Sequence, residues 1–184
     1  MKKNLIVLAH PNLLQSKVNK KLAESAATLP SAEIIDLYKR YGDIKFDTHL
    51  PEDKLEEDRR KMEGAEKIIL QFPFYWYSSP SLLKQWLDDV LKFGWCHHGG
   101  VEGEKYALAE KELALAIVCG GNNLSYTPTG YNNSHLTSYL DPFVQTARTL
   151  KMKMNHPFAI YGSLKISETD LDSKAKEYIK FISG

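Results

Sequence analysis

Three short stretches carry residues whose types and spacing could do chemistry. Residues 10–19 (HPNLLQSKVN) open on an imidazole, His10, and reach a hydroxyl, Ser16, where a helix cap would stand. Behind such a cap the amides of Lys17, Val18 and Asn19 lack helical partners, and with His10 they could hold a phosphate. Phe74, Tyr75, Trp76 and Tyr77 follow one another, a surface suited to a flat cofactor and equally at home in a core or a subunit contact. Val118, Cys119, Gly120 and Gly121 end in a glycine pair, through which a backbone could approach a ring or phosphate closely, or which simply turns the chain.

Other chemistries find less support. Neither GxxxxGK[ST] nor GxGxxG follows the first apolar run, which disfavours ATP in a P-loop and a Rossmann-bound dinucleotide. Cys96 and Cys119 are the only cysteines and form no CxxC pair, and His97-His98 has no carboxylate or cysteine at ligand spacing, so no metal is expected. Cys119 reads as a buried, unreactive thiol. Tyr126 and Tyr131 could donate a hydrogen bond or proton to a substrate, or pack over their loop.

The elements that must position these stretches alternate. Apolar runs at 5–9, 33–37, 68–72, 113–118 and 156–161 read as strands, the central ones buried on both faces. Helical spacing follows in Val18, Leu22, Ser25 and Ala26; in Leu82, Leu83, Trp86, Leu87, Val90 and Leu91; in Leu136, Tyr139, Leu140, Phe143, Ala147 and Leu150, with Pro142 as a start or kink; and in Leu171, Ala175, Tyr178, Ile179 and Ile182. Ser78, Ser79 and Pro80 read as a hydroxyl-capped helix start. Residues 51–64 (PEDKLEEDRRKMEG) read as a solvated helix held by Leu55 and Met62, and 38–50 as surface chain. The alternation predicts one domain over 1–184, a flavodoxin-like α/β three-layer sandwich with a five-stranded parallel sheet in order 2-1-3-4-5. In such a sheet ligands sit beyond the carboxyl ends of the strands, and all three stretches lie there.

Composition adds bounds. The 184 residues are 43% hydrophobic, enough for a sizeable core. Lysine and arginine total 24 against 23 acidic residues, a formal net charge of +1 that gives no argument for nucleic acid or an anionic membrane surface. The apolar run in MKKNLIVLAH is too short for a signal peptide and no stretch is long enough to span a membrane, so a soluble, cytoplasmic protein in a reducing setting is expected.

HPxxxxSxxN (His10, Pro11, Ser16, Asn19), QFPFYWYSSPSLLKQWLDDV (71–90), FGW (93–95), Gly120-Gly121 and PFxQTA (142–147) together resemble the flavodoxin-like NAD(P)H:quinone oxidoreductases. The likeness is greatest to the short bacterial members, which include flavoprotein subunits of glutathione-gated potassium efflux systems. It implies a bound FMN, with FAD as second choice, that takes a hydride from NAD(P)H and passes two electrons in a ping-pong cycle to a quinone or similar acceptor. An azo- or nitroreductase would use the same chemistry, and a regulatory subunit beside a membrane efflux protein is the other reading. Carried over, His10, Ser16, Lys17, Val18 and Asn19 would hold the flavin phosphate, and Phe74, Tyr75, Trp76 and Tyr77 would line its ring. Val118, Cys119, Gly120 and Gly121 stand where the family usually has Thr-Thr-Gly-Gly. Tyr126 falls at the position of a tyrosine that assists hydride transfer, whereas the partner histidine's position holds Asn132, which cannot relay a proton. The resemblance also implies a homodimer, with the loop 95–103 and the aromatic turn at its interface.

Overall fold

The computed structural model describes residues 3–42, 49–99 and 105–184. The implied interface loop 95–103 and the surface segment 38–50 therefore lie partly outside the described residues. Strand β1 (Asn4–Leu8) is buried throughout and pairs in parallel with β2 (Ala32–Asp36) on one side and β3 (Lys67–Pro73) on the other. β3 pairs with β4 (Glu112–Val118), and β4 with two short strands, β5 (Lys153–Met154) and β6 (Phe158–Ile160). The order β2-β1-β3-β4-β5 is the flavodoxin-like one that alternation predicts.

Side chains alternate across the sheet, as a strand requires. Leu5, Val7, Ile68, Leu70, Phe72, Leu113, Leu115 and Ile117 face one core, and Ile6, Ile69, Ala114, Ala116 and Val118 the other. Helices α2 (Leu37–Tyr41), α3 (Glu52–Gly64), α4 (Ser81–Val90) and α5 (Asp141–Thr149) cover the first face. The second is closed by α1 (Lys17–Ala26) and α6 (Glu168–Ser183). Lys67, buried at the start of β3, donates to the carbonyls of Phe181 and Ile182 and so satisfies the negative end of α6.

Several expectations from sequence need correction. The fifth strand is two strands separated at Asn155-His156-Pro157, because a proline has no N–H to give the ladder. The segment after β2 is not all surface chain: Asp36 caps α2 by accepting from the Lys39 amide, and Tyr41 is buried. Helix α4 has no hydroxyl cap, since Ser78 is committed to a turn with Tyr75 and Pro80 occupies the cap position. A short 3-10 turn (Leu136–Leu140) precedes α5, which starts with Pro142 in its first turn.

Helix α3 is less solvated than its charge predicts, because Asp58 and Arg59 are buried. Asp58 Oδ2 accepts from Tyr41 Oη at 2.7 Å and Trp86 Nε1 at 2.8 Å. Arg40 Nε faces Oδ1 at 3.1 Å as an ion pair without the angle of a hydrogen bond. Arg59 donates to the Val90 and Asp89 carbonyls and pairs with Glu52. These groups bind α2, α3 and α4 to one another on the first face of the sheet. Asp58→Ala, which strands two donors and a cation, is expected to lower stability by about 3–5 kcal/mol in urea denaturation, as loss of one partner of a buried charge cluster does.

Candidate functional site

The first loop leaves β1 at Ala9 and His10 and passes through a 3-10 turn (Leu13–Gln15) before Ser16 caps α1. The Asn12 amide donates to His10 Nδ1 at 3.0 Å, which leaves Nδ1 without a proton and the ring N–H on Nε2. Burial lowers the His10 pKa below 6.5, against the charge of Asp36. Nε2 lies 3.5 Å from Tyr75 Oη, at the limit of hydrogen bonding.

At the start of α1, Ser16 Oγ accepts from the Asn19 amide at 3.3 Å, and the first backbone bond runs from Lys20 N to Ser16 O. Of the three amides expected to be free, those of Lys17 and Val18 have no acceptor among the described residues, whereas Asn19 spends its own on the cap. The Lys17 side chain turns away to the Ile166 carbonyl and Glu168, so only its amide faces the loop. Asn19 is buried with Nδ2 3.4 Å from Ser16 Oγ and Oδ1 unpartnered. Exchanging the two ends of that amide keeps a bond to Ser16, whose hydroxyl then donates, and turns an N–H₂ donor to the orphaned position. The Asn19 carbonyl accepts from Gln71 Nε2 at 3.0 Å, and Gln71 Oε1 accepts from Tyr178 Oη at 3.0 Å. This buried chain fixes the helix start to β3 and α6. Neither Gln71 nor Tyr178 stands out in sequence as supporting a site, since each sits among core residues.

The aromatic stretch is a tight turn. Tyr75 and Ser78 exchange two backbone hydrogen bonds of 3.0 Å, and Trp76 and Tyr77 between them have φ of 45° and 64°. This two-residue turn with both φ positive ordinarily holds Asn-Gly. The left-handed conformation costs about 1–2 kcal/mol per residue with a Cβ. Tyr77 is braced, its ring stacked on Tyr139 at 5.1 Å and edge-on to Phe74 at 6.4 Å. Trp76 is 92% exposed and unbraced. The Phe74 amide is consumed by the Val118 carbonyl and that of Tyr75 by Ser78, while those of Trp76 and Tyr77 have no acceptor among the described residues.

Beyond β4 the Cys119 amide donates to Ile160 O, and the Ser163 and Gly162 amides return to Cys119 O and Gly121 O. The amides of Gly120 and Gly121 stay unpaired among the described residues. A Cβ on Gly121 would meet the Tyr126 ring at 3.4 Å, so glycine lets Tyr126 lie against the backbone. Tyr126 packs edge-on to Phe74 at 6.0 Å and against Tyr161 at 5.6 Å, with the buried Cys119 thiol near its hydroxyl. Burial pushes the thiol up to about 12 and, with Cys119 beside it, also raises the phenol, so both keep their protons at neutral pH. Tyr139, read from sequence as a helix-face residue, and Tyr161, read as part of a strand, complete this aromatic cluster.

A cleft of about 600 Å³ lies between these loops. His10, Ser16, Lys17, Val18, Asn19, Phe74, Tyr75, Val118 and Gly120 line it, with Ser163 and Leu164 as a rim sequence reasoning missed. Trp76, Tyr77, Cys119, Gly121 and Tyr126 are not among its walls and belong to the adjoining aromatic cluster and strand end. No group of metal-ligating side chains occurs among the described residues.

Two outcomes follow for the protein without ligand. Trp76→Asn, which tolerates the left-handed region and loses no packing, is expected to raise stability by about 1 kcal/mol, read as a higher Tm. Because folding depresses the His10 pKa, the unfolded chain binds more protons below pH 6.5, and stability must fall as pH drops from 6.5 toward the folded pKa. His10→Asn should flatten the profile of Tm against pH over that window.

Known proteins are similar along the whole chain. A family model described as flavodoxin-like fold matches residues 2–182. The uncharacterized NAD(P)H oxidoreductase YdeQ of Bacillus subtilis is 36% identical over 182 residues, covering 99% of this chain and 87% of that protein. The glutathione-regulated potassium-efflux system ancillary protein KefG of Pectobacterium carotovorum is 34% identical over 182 residues, covering 99% and 93%. The crystal structure of general stress protein 14 from Treponema denticola in complex with FMN superposes with a TM-score of 0.86 at 30% identity, covering 98% of each chain. With this sheet order and these matches, the chain belongs to the flavodoxin-like family that includes the NAD(P)H oxidoreductases and the ancillary proteins of potassium efflux.

Proposed function

We propose that this protein is an FMN-dependent NAD(P)H:quinone oxidoreductase. The observation that carries the reading is a set of amides on one edge of the sheet that have no acceptor among the described residues: Lys17 and Val18 at a helix start, Trp76 and Tyr77 in a strained turn, Gly120 and Gly121 beyond β4. A helix start binds a phosphate, and amides beside an aromatic floor suit the polar edge of an isoalloxazine ring. The buried Asn19 side chain, with one end unpartnered, fits the same phosphate. The similarity to an FMN complex and to a protein named an NAD(P)H oxidoreductase supports the cofactor and the donor.

Lys17 and Val18 would give their amides to the phosphate, Asn19 its side-chain N–H₂, Ser16 the cap that holds them, and His10 the Nε2–H. Phe74 and Tyr75 would wall the chain that joins phosphate and ring. Trp76, Tyr77, Val118, Cys119, Gly120 and Gly121 would bound the ring, the four free amides among them acting as fixed donors where negative charge gathers on reduction. Bound there, FMN would supply the two-electron hydride chemistry, from NAD(P)H to a quinone in a ping-pong cycle. Tyr126, kept protonated, would donate rather than accept a proton, and Asn132 would relay none.

Exposed Trp76, Phe93 and Tyr131 suit a homodimer with the acceptor between copies. Similarity to KefG supports a second reading, a flavoprotein subunit beside an efflux protein. No helix among the described residues is long and apolar enough to cross a membrane.

The test is the visible spectrum of the purified protein under anaerobic NADPH and then a quinone. The reading expects a flavin spectrum that bleaches and recovers; a flavin that NADPH leaves oxidised favours the subunit reading, and a protein that binds no FMN overturns both. Asn19→Asp, which sets a second anion beside the phosphate, should weaken FMN retention at least about tenfold in fluorescence titration.

A further inference from the structure

We infer that Asn132 is a positioning residue that latches the strained aromatic turn to the loop after β4. Its side-chain Oδ1 accepts from Tyr77 Oη at 3.3 Å, its carbonyl accepts from Tyr139 Oη at 3.2 Å, and its amide donates to the Ser125 carbonyl at 3.0 Å. The circuit closes because the Tyr77 and Tyr139 rings stack at 5.1 Å and 25°. Asn132 thus holds both stacked phenols and the residue beside Tyr126.

A non-glycine residue stays at positive φ only where its surroundings over-determine it. Trp76 at 92% exposure contributes no such constraint, so Tyr77, at φ 64°, carries it through its ring contacts and its one hydroxyl bond. The unpaired amides of Trp76 and Tyr77 sit inside that turn, and fixing Tyr77 fixes both. An amide neither gains nor loses a proton near neutral pH, so acid–base exchange is not what Asn132 offers. What it offers is an acceptor that fixes Tyr77.

This inference rests on the flavin reading, through the claim that the turn's amides meet the ring. Its test uses Tyr77→Phe, which deletes one hydroxyl, Asn132→Ala, the double variant, and Asn132→Asp, which restores an acceptor. The readouts are the FMN dissociation constant by fluorescence quenching and the near-ultraviolet circular dichroism of the cofactor-free protein. Tyr77→Phe and Asn132→Ala are each expected to weaken FMN about three- to tenfold, the range of one hydrogen bond. The double variant should be no weaker than the worse single, and Asn132→Asp should return to within about twofold of the parent. In the cofactor-free protein Asn132→Ala, which removes no chromophore, should change the dichroism in the parent and leave it unchanged in Tyr77→Phe.

Parent-like FMN binding by both single variants, losses that multiply in the double, or no rescue by Asn132→Asp overturns the latch. Should the parent bind no FMN, the flavin reading fails, and the dichroism alone decides the latch: a change that depends on the Tyr77 hydroxyl upholds it, and no change overturns it.

Discussion

A buried parallel sheet satisfies its backbone internally along its strands but not where they end. Each chain that leaves the carboxyl edge has amides that must find a partner, and most do: Phe74 finds the Val118 carbonyl, Cys119 that of Ile160, Asn12 the imidazole of His10. Among the described residues, amides at a helix start, in a strained turn and at a glycine pair find no acceptor, and these lie on one edge of the sheet with a cleft between the loops. The rest of the molecule fixes that edge. The Asn19–Gln71–Tyr178 chain anchors the helix start from below, and the cluster around Asp58 locks α2, α3 and α4 to one another on the first face of the sheet.

Stability is given up where the ligand would sit. Trp76 and Tyr77 occupy a conformation that Gly adopts without strain and Asn at reduced cost, and Trp76 recovers nothing by packing. The aromatic cluster of Phe74, Tyr77, Tyr126, Tyr139 and Tyr161 braces one side of that turn.

Much of this was legible in the sequence, because the apolar runs of β1, β3 and β4 and the periods of α1, α4 and α6 reflect burial of whole faces, which composition records directly. The Ser16 cap was legible for the same reason, a local bond with a local signature. Burial of Asp58 and Arg59 was not, since a charged helix looks solvated unless the partners Tyr41, Trp86 and Val90 from other elements are known. The split of β5 and β6 depended on how Pro157 meets its neighbour, and the sharing of free and consumed amides on long-range pairing. Asn132 reads in sequence as a missing histidine, and only the positions of Tyr77 and Tyr139 give it a use of its own.

On the proposed function, the start of α1 is a phosphate site serving a flat ring held at the next two strand ends. Comparing FMN with riboflavin, which lacks only the phosphate, by calorimetric titration of the cofactor-free protein tests it most directly. Several charge-assisted bonds from Lys17, Val18, Asn19 and His10 predict FMN binding at least about a hundredfold tighter than riboflavin. Equal affinity for the two would contradict the account and leave the first loop as an ordinary helix start.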